Sequence, residues 1–121
     1  MSAFGYFKKV YAEYFNFNGR ARRKEYWYYT LFYTIISIVL GTLDLLIFDM
    51  EILSSIFFLV SLIPYLAVSA RRLHDIGKSG WWLLIGIIPI LGGIVLLVFF
   101  IIDGEQGDNE YGLDPKREYS F

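Results

Sequence analysis

The chain contains no cysteine, which excludes disulfides, thiolate metal sites and a cysteine nucleophile. It has one histidine, His74, among 121 residues. Charge is also scarce: 19% of residues are charged, against roughly 25% in soluble domains. The first 25 residues lack the apolar core of 7–15 residues that marks a cleavable signal peptide, so the first apolar segment is expected to act as an uncleaved anchor. No internal repeat or low-complexity tract is evident. What is abundant is apolar surface. Hydrophobic residues make up 56% of the chain, too much for a soluble fold of this size to hide. Intrinsic disorder is excluded on the same ground.

Three charge-free stretches carry that excess: Tyr26–Leu43 with 18 residues, Ile52–Ala70 with 19 and Trp81–Ile102 with 22. Each approaches or exceeds the roughly 17–25 residues that a helix needs to cross a bilayer. The expected fold is an all-α integral membrane protein in one membrane domain, 1–121. An N-terminal interfacial amphipathic helix over 3–15 is followed by three transmembrane helices (spans 26–48, 52–70 and 81–102) and a polar tail, 103–121. In the first helix Phe4, Phe7, Tyr11, Tyr14 and Phe15 recur at spacings of three and four, one helical face. Such a face suits the membrane interface, with packing against the bundle ends as the alternative.

Net charge is −1, but the total conceals an asymmetry. With three spans, one side of the membrane carries nine basic and three acidic residues, and the other two basic and nine acidic. Lys and Arg in short flanks stay cytoplasmic. The N-terminus and the 71–80 loop are therefore expected inside, and the 44–51 turn and the tail outside. Trp27, Trp81 and Trp82 fall at span ends as interface anchors. Thr30, Thr34, Ser37 and Gly41 form one stripe, as do Ser54, Ser61 and Tyr65, and Ser79, Gly86 and Gly93. Small residues of this kind let helices pack closely in lipid. Pro64, Pro89 and the Gly92-Gly93 pair mark breaks or kinks. The stripes hold no ionisable residue at mid-membrane depth, which disfavours an ion or proton pathway.

Two polar constellations flank the spans. The first is Asn18-Gly19-Arg20-Ala21-Arg22-Arg23-Lys24-Glu25-Tyr26-Trp27, with four cations at a membrane entry. The second is Arg71-Arg72-Leu73-His74-Asp75, then Gly77-Lys78-Ser79-Gly80-Trp81-Trp82. Arg71, His74 and Asp75 share a helical face, which permits an Arg71–Asp75 ion pair. One histidine beside one aspartate is a poor zinc site, and no nucleophile stands at a defined spacing from it. His74 is best read as a structural hydrogen bonder. Gly77-Lys78-Ser79 lacks the earlier glycine of a phosphate loop. The tail stretch Asp103–Gly112 resembles a calcium loop in composition but not in spacing.

Gly19–Trp27, Arg71–Asp75 with Ser79–Trp82, and Asn109-Glu110-Tyr111-Gly112 with Asp114-Pro115 together resemble the signatures of domain-of-unknown-function family 805. The resemblance runs from about residue 4 to Lys116, with a more acidic tail than usual. It implies a small, multi-pass protein of the bacterial inner membrane, with no assigned activity and no catalytic residues to carry over. It also implies that the three signatures act together. Three full spans would separate the tail from the other two. A re-entrant third segment hinged at Pro89–Gly93 would unite them.

The expected function is non-enzymatic: a basic-aromatic cytoplasmic face that binds anionic lipid or a protein partner. Arg20, Arg22, Arg23, Arg71, Arg72, His74, Asp75 and Lys78 are the candidate contacts. Arginine suits phosphate because its planar fork binds bidentately. Membrane lipids, a membrane-protein partner or a second copy are the expected partners. No nucleic acid, metal or cofactor is expected. The competing reading is a subunit of an oligomeric transporter or channel.

Overall fold

A computed structural model describes residues 2–115. The tail residues Lys116, Arg117 and Glu118 of the charge count lie outside them. The chain begins with α1 (Ala3–Ala12), capped by the Ser2 hydroxyl, which accepts from the Gly5 N–H at 2.9 Å. The aromatic face of α1 does not lie free. Phe7 stacks on Tyr29 at 5.6 Å, Phe4 meets Phe32 edge-on, and Tyr6 stacks on Tyr28. The Tyr11 hydroxyl bonds Ser61 at 2.7 Å. Neighbouring helices thus cover Phe7 and part of Tyr11, while Phe4 and Phe15 stay exposed.

A turn with Gly19 at φ +88° leads into α2 (Arg23–Leu43). It continues through a π-helical turn, Asp44–Phe48, and ends at Asp49 in the left-handed region. There the chain reverses into α3 (Leu53–Asp75), which runs unbroken through Pro64. Arg23–Phe48 and Leu53–Asp75 are both long and apolar enough to cross a membrane. They pack antiparallel, and the two small-residue stripes meet. Thr30 and Tyr65 share a hydrogen bond at 2.8 Å, and Gly41 faces Ser54. A hydroxyl partner is valuable where no water is available to bond.

At the reversal, Asp44 is almost fully buried and accepts three hydrogen bonds. Leu53 N–H, Ser54 N–H and Ser54 Oγ–H all donate to it, at 2.7–2.9 Å. The first N–H groups of a helix have no internal partner. Asp44 supplies one from outside the helix, and its negative charge suits a helix N-terminus.

The third apolar run departs from expectation. It is not one helix. A 3-10 helix (Gly80–Ile87) is followed by a turn at Ile88–Ile90 and then by α4 (Leu91–Ile101). Ile90 takes φ +69° in that turn. Each arm is about 16 Å long at the usual rise of a 3-10 or α-helix, half the roughly 30 Å of bilayer hydrocarbon. Both ends of the hairpin sit at the same end of the bundle. Gly80 lies against Ala70 and His74 of α3. At the other end of the hairpin, the Phe100 carbonyl accepts from Trp27 Nε1–H at 2.9 Å, and the Phe100 ring stacks on Tyr26.

The cause is local. Pro89 brings no N–H, and the arms touch where Gly92 meets the Ile85 carbonyl so closely that any Cβ would overlap it. Within the turn Ile88 N–H donates to Ile85, Leu91 N–H to Pro89 and Gly92 N–H to Ile88. Such internal pairing is what irregular backbone in apolar surroundings requires. Three full transmembrane helices are therefore replaced by two candidate spans and a folded-back hairpin. The stripe Ser79, Gly86 and Gly93 is correspondingly divided between the two arms.

Candidate functional site

Because the hairpin returns, the three signature segments meet at one end of the bundle. Arg20, Arg71, Arg72, Asp75 and Glu25 are all at most 6% exposed there. Buried charges must be paired or hydrogen-bonded, and these fall into two clusters.

In the first, Arg71 Nη1–H donates to Glu25 Oε2 at 2.5 Å, and Lys9 Nζ–H donates to Glu25 Oε1 at 2.7 Å. Glu13 comes within 2.7 Å of Arg71 and 4.0 Å of Lys9. Two cations and two carboxylates balance. Arg71 Nε–H also donates to the Asn16 carbonyl, and the Arg71 carbonyl accepts from Ala21 N–H. This cluster ties α1, the first turn of α2 and the end of α3 into one unit.

In the second, Asp75 lies between two arginines. Arg20 Nε–H donates to Oδ1 at 3.0 Å and Arg72 Nη1–H to Oδ2 at 3.1 Å. The excess cation finds neutral acceptors, most of them in the chain after α4. Arg20 donates to the carbonyls of Glu105 and Gly107 at 2.6 Å, and Arg72 donates to those of Phe100 and Ile102. Glu105 N–H donates back to the Asp75 carbonyl at 2.7 Å. The approach is so close that a Cβ on Gly104 would overlap the Asp75 carboxylate. The acidic stretch after α4 thus meets the basic end chiefly through its backbone carbonyls.

His74 fills the space between the first and third signatures. Its Nδ1–H donates to the Gly19 carbonyl at 2.9 Å, since a carbonyl can only accept. Its ring lies flat on Tyr111, centroids 4.1 Å apart and planes 3° from parallel. Asn109 sets that stack: its Nδ2–H donates to the His74 carbonyl and its Oδ1 accepts from Tyr111 N–H. Desolvation, and then the neighbouring Glu110, raises the Tyr111 phenol above its ordinary pKa.

The structure thus divides the sequence-predicted contacts. Arg20, Arg71, Arg72 and Asp75 are interior, with their charges engaged inside the protein. The Arg71–Asp75 pair suggested by spacing is replaced by Arg71–Glu25 and Arg72–Asp75. His74 is half-buried, with its Nδ1–H on the Gly19 carbonyl. Arg22 is half-buried, and Lys78 lies over the rings of Trp82 and Phe99. Arg23 is exposed, 3.4 Å from exposed Asp103, and also donates to the Ile101 carbonyl. Of the anchors, Trp81 and Trp82 are exposed and Trp27 is half-buried. Sequence reasoning missed Lys9, Glu13 and Glu25. The Lys9–Glu13 spacing of four and the placing of Glu25 just before an apolar run were available signals. Among the described residues no three metal-ligating side chains lie together.

These features define a class: a small all-α protein of membrane type, with two apolar helices and a hairpin closed at one end by buried ion pairs. The comparisons with known proteins agree. The chain matches the family described as "Protein of unknown function (DUF805)" over residues 14–113, and it belongs to that family. It is 42% identical to the inner membrane protein YhaI of Escherichia coli K12, covering 92% of this chain and 95% of that one. It is 41% identical to inner membrane protein YhaH of the same strain, over 93% and 98%. The uncharacterized protein YiiR is 34% identical over 84% and 87%. No solved structure matches.

Proposed function

We propose that this chain is a non-enzymatic, multi-pass protein of the bacterial inner membrane whose cytoplasmic face binds anionic lipid headgroups. The supporting observation is the distribution of cations. Every lysine and arginine of residues 2–115 belongs to the clamped end, while Asp44, Asp49 and Glu51 stand alone at the other. Because Lys and Arg in short flanks stay cytoplasmic, that asymmetry supports a cytoplasmic N-terminus, 71–80 loop and returning chain. Once the buried arginines are paired with carboxylates and carbonyls, Lys8, Arg23 and Lys24 remain exposed at that face. Clustered cations near an anionic leaflet are each worth about 1 kcal/mol. The non-enzymatic reading is favoured by His74, whose Nδ1 is engaged with Gly19 and whose face rests on Tyr111.

The test is lipid retention. Protein purified from a mixed membrane and examined by native mass spectrometry should retain phosphatidylglycerol or cardiolipin well above their share of the membrane. Retention in proportion to membrane composition would remove the lipid reading.

A further inference from the structure

A groove runs along the outer side of α2 that none of the buried ion pairs occupies. Its upper part has a volume of about 350 Å³ and is lined by Arg23, Lys24, Trp27, Tyr28 and Ile101. Its lower part, about 470 Å³, shares Trp27 and Tyr28 and continues along Thr30, Leu31 and Thr34. We infer that this groove is a binding site for one anionic phospholipid, with phosphate at Lys24 and Arg23 and an acyl chain along Trp27, Leu31 and Thr34. The inference rests on the cytoplasmic-face reading above and names the residues that carry it.

The geometry supports this in three ways. First, the lining residues recur at spacings of three and four along α2, so they form one stripe parallel to the helix axis. From Arg23 to Thr34 it spans about 16 Å, the depth from headgroup level to mid-bilayer. Second, the chemistry changes along the stripe as a phospholipid's does. Both cations lie at the top, Trp27 and Tyr28 at the level favoured by amphipathic rings, and below them Leu31 and the uncharged Thr30 and Thr34 form the floor. Third, the wall is preformed. Trp27 is fixed by its hydrogen bond to the Phe100 carbonyl, Tyr28 stacks on Tyr6, and Ile101 of α4 closes one side.

The charges at the head of the groove are unequal. Arg23 faces Asp103 at 3.4 Å. Lys24 is exposed, so it supplies most of the uncompensated positive charge. Asp103 is the one acid of the described residues set against these two cations. Its removal should therefore strengthen binding, an effect that a merely structural role would not produce.

The experiment is native mass spectrometry of delipidated full-length protein titrated with phosphatidylglycerol and, separately, with phosphatidylcholine. Wild type should take up one phosphatidylglycerol in clear preference. Lys24→Gln should weaken that uptake about fivefold, Leu31→Trp should weaken it without changing any charge, and Asp103→Asn should strengthen it. Lys8→Gln, which removes an exposed cation of the same face but outside the groove, should weaken it much less than Lys24→Gln. Equal weakening by Lys8→Gln and Lys24→Gln would overturn the groove in favour of diffuse attraction and leave the broader reading standing. Absence of preference in wild type would overturn both.

Discussion

The two ends of the helical bundle solve the same problem by opposite means. At the turn between α2 and α3 a single buried carboxylate, Asp44, caps the next helix, and no cation among the described residues pairs with it. At the other end two arginine-carboxylate clusters join α1, α2, α3 and the chain after α4. The simple end has only one reversal to close. The clamped end must gather four segments, two of them separated by more than 80 residues, as Arg20 and Glu105 are. Ion pairs and charge-assisted hydrogen bonds carry directional information that apolar packing lacks, so the complex junction is where they accumulate.

The contrast orders the expected losses. Asp75→Asn should cost the most, about 3–5 kcal/mol, because it leaves Arg20 and Arg72 buried without a carboxylate. Thermal unfolding in detergent would show a large fall in midpoint. Glu25→Gln should cost somewhat less, since Glu13 remains within 2.7 Å of Arg71. Asp44→Ala removes a helix cap and should cost about 1–2 kcal/mol. If it proved as damaging as Asp75→Asn, the contrast between the ends would fail. Asp103→Asn removes the charge of an exposed pair while keeping an Oδ1 that can accept from Gly104 N–H, and should change stability by under about 1 kcal/mol. A larger effect would show that the clamp extends to the surface.

Much of this fold was legible in the sequence. The runs at 26–48 and 52–70 became Arg23–Phe48 and Leu53–Asp75, because long charge-free stretches have few alternatives. His74 proved to be a hydrogen bonder, as its isolation from other ligating groups suggested. The third run misled because its 22 charge-free residues met the length criterion. Pro89 and Gly92 pointed to a break, but only the contact between Gly92 and Ile85 turns that break into a reversal. The ion-pair partners were hidden for a related reason. Spacing within a helix suggested Arg71–Asp75, whereas Arg71 reaches Glu25, 46 residues away, and Asp75 receives Arg20 from 55. Local periodicity does not encode contacts of that range. The arginines resembled phosphate ligands because a guanidinium accepts a carboxylate by the same fork. Burial separates the two roles, and burial follows from where the hairpin ends.

The central claim is that the hairpin returns, bringing the third signature to the basic end. Because the chain has no native cysteine, single cysteines at positions 3, 48, 76 and 106 can be labelled in intact inner-membrane vesicles of known sidedness. The account predicts that 3, 76 and 106 label from the cytoplasmic side and 48 from the opposite side. Labelling of 106 together with 48 would contradict it.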